Sequence, residues 1–222
     1  MSKRLALPVT HMVALDSVDV LEQGDEAPSF ELTGTDGDTH TLDDFADYEA
    51  LLLAFTCNHC PYAQAKFEEM NRLAAEYEEV AVVGINPNDE QEYPEDDFET
   101  MVKHVEDGTL RWDAYLRDES QEIAAAYGAV CTPDPYLFEN SARSETSLAA
   151  GEAGDDGGTF RLAYHGRLDD ALNPDDEPET HEMEEHIEDL LAGDAVSDDF
   201  KPSRGCSIKW REGNEPDYWD AL

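Results

Sequence analysis

The sequence predicts an α/β fold with a central mixed β-sheet flanked by helices, and three consecutive segments carry this prediction. Residues 51–55 and 80–85 are short, continuous apolar runs, which are typical of strands buried on both faces. Between them, residues 61–79 repeat apolar side chains at helical spacing. A strand, a helix and a second strand in this order indicate two parallel strands joined by a right-handed crossover.

Other elements are predicted on either side of this unit. Phe30 and Leu32 alternate with polar residues, and Asp36-Gly37 follows them, so we expect an N-terminal β-hairpin with its second strand at residues 39–42. The elements expected downstream are helices at 96–105 and 118–127, short strands at 136–138 and 160–164, and a helix at 177–191.

The chain divides into three predicted parts. Residues 1–20 are a leader segment, residues 21–192 form the domain, and residues 193–222 form an irregular tail. Within the domain, residues 139–158 are rich in Ser, Ala, Gly and acidic residues without a period, which indicates a long surface insertion. The tail contains aromatic residues of the kind that usually pack against a protein surface, namely Trp210, Tyr218 and Trp219.

Acidic residues dominate the charge of this chain. Fourteen Lys and Arg residues stand against 54 Asp and Glu residues, and the formal net charge is -40. Molar salt shortens the Debye length to roughly 3 Å, so such a surface suits a salt-rich cytoplasm, and we infer that of an extreme halophile. The same charge opposes binding to nucleic acid or to an anionic membrane. No apolar run reaches the roughly 20 residues of a membrane span, so a soluble cytoplasmic protein is expected.

The chain has four cysteines, which are Cys57, Cys60, Cys131 and Cys206. In a cytoplasmic protein, cysteines are more often reactive or metal-binding than part of a disulfide framework. Cys57 and Cys60 form a C-x-x-C motif where the predicted strand meets the helix that begins at Pro61. A helix N-terminus stabilises a thiolate, so the pKa of Cys57 is expected to fall below about 8.5. The spacing lets Cys60 close a disulfide after Cys57 has attacked another one.

Two segments resemble the thioredoxin-like superfamily, namely residues 51–60 and residues 127–133. In that superfamily a cis-proline faces the C-x-x-C motif, and the resemblance places it at Pro133. Thr132, the residue before it, would pair through its backbone with an incoming peptide. Residues 24–32 with the predicted hairpin resemble the redoxin branch, which includes alkyl hydroperoxide reductase/thiol-specific antioxidant proteins.

The resemblance covers about residues 21–192, and the segments 57–62, 128–135 and 205–210 together resemble a group of stand-alone thioredoxin-like proteins. It implies dithiol–disulfide exchange on protein or small disulfides, with no bound cofactor. Electrons would come from a thioredoxin reductase or from low-molecular-weight dithiols.

The resemblance also implies roles for the motif residues. Cys57 would be the exposed nucleophile and Cys60 the resolving cysteine. His59 would favour the Cys57 thiolate and so make the couple less reducing. Thr132 and Pro133 would shape the groove for the substrate peptide.

Two departures from related families bear on the activity. Thioredoxin itself has a buried aspartate six residues before its first motif cysteine, and Leu51 occupies that position here. Peroxiredoxins have a P-x-x-x-T-x-x-C pattern, but the corresponding positions hold Ala50 and Ala54 before Cys57. The sequence therefore lacks both the usual proton acceptor of thioredoxin and the usual hydroperoxide pocket.

Alternatives remain at the sequence level. The protein could be a thiol peroxidase without the usual pocket, or a module whose four cysteines bind zinc or copper, although a second C-x-x-C is absent. Cys131 could be an accessory redox residue or a small buried side chain. Cys206 lies in a basic, Trp-bearing segment that could fold back on the acidic body and bring it near Cys131 or the active site; alternatively, the segment packs there only to neutralise charge.

Overall fold

The computed structural model of the protein describes residues 14–143 and 160–219. The strands, in chain order, are β1 (Ala14–Asp16), β2 (Glu31–Gly34), β3 (Thr39–Thr41), β4 (Ala50–Phe55), β5 (Val80–Asn86), β6 (Ala114–Arg117), β7 (Cys131–Thr132), β8 (Asp134–Asn140), β9 (Phe160–His165) and β10 (Arg204–Ser207). The α-helices are α1 (Pro61–Gln64), α2 (Phe67–Glu76), α3 (Phe98–Glu106), α4 (Glu122–Tyr127) and α5 (Glu182–Ala192).

Seven strands form the central sheet in the order β3-β2-β6-β5-β4-β8-β9. Strands β4, β5 and β6 are parallel to one another, whereas β8 runs antiparallel to β4. The expected mixed sheet is therefore confirmed, and so is the N-terminal hairpin of β2 and β3. Gly37 in the hairpin turn has φ +87°, a conformation that residues with a Cβ rarely adopt.

Strand β4 is completely buried because helices cover both faces of the sheet. Its side chains alternate between the faces: Leu51 packs in a cluster with Tyr127 of α4, and Leu52 in a cluster with Met70 of α2 and Met183 of α5. This double coverage explains why residues 51–55 are apolar without interruption. It also places the end of β4, where the C-x-x-C motif begins, deep in the molecule.

The structure differs from the predicted elements in several places. The helix expected at residues 61–79 is interrupted, since α1 has only four residues and α2 begins at Phe67. The helix expected from residue 118 begins at Glu122, because the Asp118 carboxylate accepts the backbone N–H groups of Gln121 and Ala124. Strand β6 was not predicted at all. The predicted insertion at residues 139–158 lies, from residue 144 onward, outside the described residues.

A second, three-stranded sheet joins both ends of the chain in the order β1-β10-β7. Strand β10 is antiparallel to both neighbours, so the prediction of an irregular tail is wrong for residues 204–207. Beyond it, Ile208 packs in the main core and Trp210 packs against the same cluster. Within residues 14–143 and 160–219, no helix is long and apolar enough to cross a membrane.

Candidate active site

The C-x-x-C motif and the proline loop meet at one residue, Thr132. Cys57 follows β4, and Cys60 is the N-cap of α1, with Pro61 at the first helical position. The Thr132–Pro133 peptide bond is cis, as the resemblance predicted. Cys57 Sγ lies 3.2 Å from Thr132 Oγ1, and Cys60 Sγ lies 3.5 Å from the Thr132 carbonyl oxygen. The two segments that the sequence singled out therefore form one site.

The disulfide of the site joins Cys60 to Cys206, with a Cα–Cα distance of 6.3 Å, and Cys57 is unbonded. The sequence predicted closure between Cys57 and Cys60, which this structure does not contain. Cys206 reaches Cys60 because β10 pairs with β7 and sets Cys206 directly opposite Thr132. The same pairing occupies the backbone edge of Thr132 that was expected to receive a substrate peptide.

Cys57 differs from the exposed, acidic thiol that the sequence predicted. Its exposed fraction is 0%. Burial raises the pKa of Cys57 to about 12, and the Asp96 carboxylate adds to this effect. The hydroxyl of Thr132 and the backbone N–H of Cys60 act in the opposite direction but do not outweigh burial. The helix N-terminus stabilises the Cys57 thiolate less than expected, because α1 has only four residues and begins after Cys60.

Asp96 is a buried carboxylate in the site that sequence reasoning missed. Its Oδ1 accepts the backbone N–H groups of Asn58 (2.8 Å) and His59 (3.1 Å). Its Oδ2 accepts from His59 Nδ1 (2.5 Å) and from Asn88 Nδ2 (2.7 Å). Three of these four bonds go to the turn between the two motif cysteines and hold it in place. Because Asp96 is one of 54 acidic residues and follows no motif, the sequence offered no signal for it.

His59 is held rather than free. Its Nδ1 bonds to Asp96, and its ring stacks on that of Tyr93 at a centroid distance of 5.4 Å. A histidine fixed in this way presents one defined ring edge to the site.

Lys209, in the tail, places a positive charge in the site near Cys57 and Asp96. Its Nζ donates to the carbonyl oxygen of Ser207 (2.7 Å) and lies 5.5 Å from the ring centroid of Tyr93. Burial lowers the pKa of Lys209, while the charges of Cys57 and Asp96 act to raise it. The buried cation thus offsets part of the negative charge at Asp96 and at a Cys57 thiolate.

Cys131 points away from the other three cysteines. It pairs with Ser207 in the β7–β10 register, next to the pair of Thr132 and Cys206. Successive side chains of a strand point to opposite faces, so Cys131 faces the other side of this small sheet. Its thiol is buried 3.7 Å from the Pro133 carbonyl oxygen, and burial raises its pKa well above the usual value. This placement favours the small buried side chain over the accessory redox role.

Two groups in the described residues could supply three metal ligands each. Cys57, His59 and Asp96 have ligand atoms within 4.8 Å of one another, which is one ligand fewer than a structural zinc site uses. The other group is Glu69, His181 and Glu184. There the guanidinium of Arg72 already bonds to both glutamates. A four-thiolate site is not assembled, because Cys60 and Cys206 are bonded to each other and Cys131 faces away.

Solved structures similar to this chain support the fold. A conserved protein of uncharacterised function from Geobacillus kaustophilus is 36% identical, with a TM-score of 0.76 over 90% of this chain and 98% of that chain. A hypothetical protein from Sinorhizobium meliloti 1021 is 34% identical, with a TM-score of 0.76 over 89% of this chain and 99% of that chain. A candidate thiol:disulfide interchange protein from Chlorobium tepidum is 19% identical, with a TM-score of 0.51 over 80% of this chain and 100% of that chain.

No protein of curated function is similar enough to this chain to count as a match. The sequence pattern of the AhpC/TSA family, however, matches residues 23–148, which is more than half of the chain. The fold, the C-x-x-C motif after β4 and the cis Pro133 opposite it agree with this match. The chain therefore belongs to the AhpC/TSA family, in the redoxin branch of the thioredoxin-like proteins.

Proposed function

We propose that this protein is a thiol–disulfide oxidoreductase that uses Cys57 and Cys60 as its dithiol/disulfide couple. The observation that carries the proposal is that both sulfurs contact Thr132. Cys57 Sγ lies 3.2 Å from its hydroxyl oxygen, and Cys60 Sγ lies 3.5 Å from its carbonyl oxygen. Cys60 already takes part in a disulfide, so its sulfur is placed to form such bonds within this fold. The family and the thioredoxin-like fold support the same chemistry.

In the proposed reaction, the Cys57 thiolate attacks one sulfur of a substrate disulfide, and the first substrate thiol leaves. The Cys60 thiolate then attacks Cys57 Sγ, which releases the second substrate thiol and forms a Cys57–Cys60 disulfide. Two electrons pass from the protein to the substrate, and the two protein thiol protons end on the substrate sulfurs. A reductant returns the protein to its dithiol form.

Neighbouring groups favour these steps in different ways. The Thr132 hydroxyl stabilises the thiolate of Cys57, and the Lys209 ammonium adds a positive charge nearby. His59 and Asp96 are positioning residues, since their bonds fix the turn between the cysteines. Because Cys60 is bonded to Cys206 in this structure and cannot resolve a mixed disulfide at Cys57, we assign the reaction with substrate to the fully reduced protein.

The proposed substrates are protein disulfides or low-molecular-weight disulfides, and the proposed electron donor is a thioredoxin reductase or a small dithiol. We place the reaction in a cytoplasm that contains molar salt, since the net charge is -40. The same charge makes nucleic acids and anionic membranes unsuitable partners.

The test is turnover of bis(2-hydroxyethyl) disulfide and of insulin disulfides in molar KCl, with dithiothreitol as the donor. Cys57→Ser is expected to lower the rate on the order of a hundredfold or more. Cys60→Ser is expected to accumulate a mixed disulfide at Cys57, visible as a 2-hydroxyethylthio adduct by mass spectrometry. Turnover by Cys57→Ser at the wild-type rate would show that the proposed function is wrong.

Membership in the AhpC/TSA family favours a second candidate, a thiol peroxidase that uses the same cysteines. Stoichiometric hydrogen peroxide added to the reduced protein distinguishes the two reactions. A peroxidase oxidises its thiols faster with peroxide than with the disulfide probes, and the oxidoreductase shows the reverse order. Zinc or copper that copurifies and protects Cys57 from alkylation would instead support the metal-binding alternative.

A further inference from the structure

The sulfur of Cys60 has two potential disulfide partners. It is bonded to Cys206, and it shares a contact residue, Thr132, with the unbonded Cys57. All three cysteines belong to one buried cluster, and their exposed fractions are 0%, 0% and 2%. The proposed couple uses only two of these sulfurs, so the third one requires an explanation.

Cys206 is held in the fold independently of its disulfide. Strand β10 is the middle strand of its sheet and pairs with β1 on one side and with β7 on the other. Beyond it, Ile208 donates its N–H to the Val130 carbonyl oxygen (2.9 Å), and Lys209 donates its N–H to Asn88 Oδ1 (2.8 Å). These contacts do not depend on the sulfur, so Cys206 remains beside Cys60 when the disulfide opens.

We propose that Cys206 is a third redox-active cysteine and that Cys60 exchanges between a disulfide with Cys57 and a disulfide with Cys206. This inference rests on the proposed function, and it adds a step that follows the reaction with substrate. The step converts the Cys57–Cys60 disulfide, which substrate oxidation produces, into the Cys60–Cys206 disulfide of the structure. Cys57 thereby becomes a thiol again.

The exchange balances without any further oxidant or reductant. The Cys206 thiolate attacks Cys60 Sγ, the new Cys60–Cys206 bond forms, and the Cys57–Cys60 bond breaks. Cys57 leaves as a thiolate and takes up one proton, while Cys206 has lost one, so the protein keeps one disulfide and one thiol. The Thr132 hydroxyl beside Cys57 and the nearby Lys209 charge stabilise the leaving thiolate.

As a result, the disulfide of the oxidised protein no longer includes the cysteine that reacts with substrate. In the Cys60–Cys206 form the buried bond joins the start of α1 to β10, and Cys57 is a buried thiol with its pKa raised to about 12. The proposed reaction exchanges with substrate through Cys57, and the Cys60–Cys206 disulfide does not include that sulfur. The exchange thus favours net reduction of the substrate over the reverse reaction.

A time course on the wild-type protein tests the exchange. The fully reduced protein, in molar KCl, receives one equivalent of bis(2-hydroxyethyl) disulfide, and samples are quenched in acid, labelled with N-ethylmaleimide and mapped by mass spectrometry. We expect the Cys57–Cys60 disulfide first and its replacement by Cys60–Cys206 later, while the total disulfide content stays constant. Cys131→Ser, a matched buried control on the other face of the sheet, is expected to behave in the same way.

Two variants separate the possible explanations. Cys206→Ser is expected to stop at Cys57–Cys60, and Cys57→Ser to form Cys60–Cys206 at least about tenfold more slowly than the wild type. If Cys206 stays labelled throughout the wild-type reaction, or if Cys57→Ser forms Cys60–Cys206 at the wild-type rate, the exchange is overturned. A folded Cys206→Ser that never forms Cys57–Cys60 would instead overturn the proposed function. The wild-type time course needs no substitution, so it still tests the exchange if a variant fails to fold.

Discussion

The carboxylate of Asp96 lies within 4.8 Å of the sulfur of Cys57, although two helices and a strand separate the two residues along the chain. Next to burial, this negative charge is the main cause that raises the pKa of Cys57. In Asp96→Asn the pKa of Cys57 is therefore expected to fall, and alkylation at pH 8 to accelerate roughly tenfold. The variant also loses charged hydrogen bonds, so its unfolding free energy is expected to drop by about 1–3 kcal/mol.

The measurement is the rate of iodoacetamide reaction at Cys57 as a function of pH. Glu99→Gln is the matched control, because it removes the same charge from an exposed residue of α3. Identical pH profiles for Asp96→Asn and the wild type would contradict the assignment of Asp96.

The oxidised protein is expected to protect Cys57 from alkylation. With its pKa raised from 9.0 to about 12, the thiol at pH 8 contains roughly a thousandfold less thiolate than an ordinary cysteine. The alkylation rate of the Cys60–Cys206 form should rise about tenfold per pH unit between pH 7 and pH 10, without a plateau. A plateau below pH 9 would mean that Cys57 is far more acidic than its burial indicates.

Removing the hydroxyl of Thr132 is expected to slow thiol chemistry at Cys57. Thr132→Val keeps the shape of the side chain but loses the contact of 3.2 Å to the sulfur. Because that contact acts to lower the pKa of Cys57, its loss of about 1 kcal/mol should reduce the turnover of small disulfides roughly fivefold. Thr132→Ser retains the hydroxyl and is expected to stay near the wild-type rate. Equal rates for the Val and Ser variants would exclude a role for the hydroxyl.

The charge of Lys209 is expected to matter more than that of a surface lysine. Lys209→Met removes the cation that acts to lower the pKa of Cys57, so the pH profile of turnover should move to higher pH and the rate at pH 7 should fall roughly tenfold. Lys103→Met makes the same change on the exposed side of α3 and should leave the profile unchanged. A matching loss in both variants would point to net charge instead of to the site.

Salt is expected to stabilise the fold. A net charge of -40 on 222 residues repels itself strongly at low ionic strength, and molar KCl screens that repulsion. The melting temperature should therefore be higher in about 2 M KCl than in about 0.1 M KCl. A melting temperature that does not change with KCl would contradict the inferred adaptation to molar salt.

The fold was predictable where a local pattern determines the structure. Strands β4 and β5 are buried on both faces, and a continuous apolar run is the direct signature of that environment. Strand β6 was not predicted, because it has only four residues and ends in the buried, charged Arg117. A period cannot be recognised over so short a segment.

The site was predictable only in part. The motif cysteines and Pro133 carry recognisable spacings, and the structure brings them together as expected. The burial of Cys57, the carboxylate of Asp96 and the bond to Cys206 depend instead on contacts between segments that are distant in the sequence. The sequence suggested that the basic tail segment could bring Cys206 near the active site, and Cys206 does lie there. No local pattern records that β10 will pair with β7, so the bond to Cys60 itself could not be predicted.

The disulfide between Cys60 and Cys206 joins residues that are 146 positions apart in the sequence. The two cysteines are therefore synthesised at different times. At roughly 5–20 residues per second, a ribosome needs about 7–30 s to proceed from one cysteine to the other. During that interval Cys206 does not yet exist; Cys57 is already present, and Cys131 is added 71 residues after Cys60. The Cys57–Cys60 pair is thus available well before the long covalent ring to Cys206 can close.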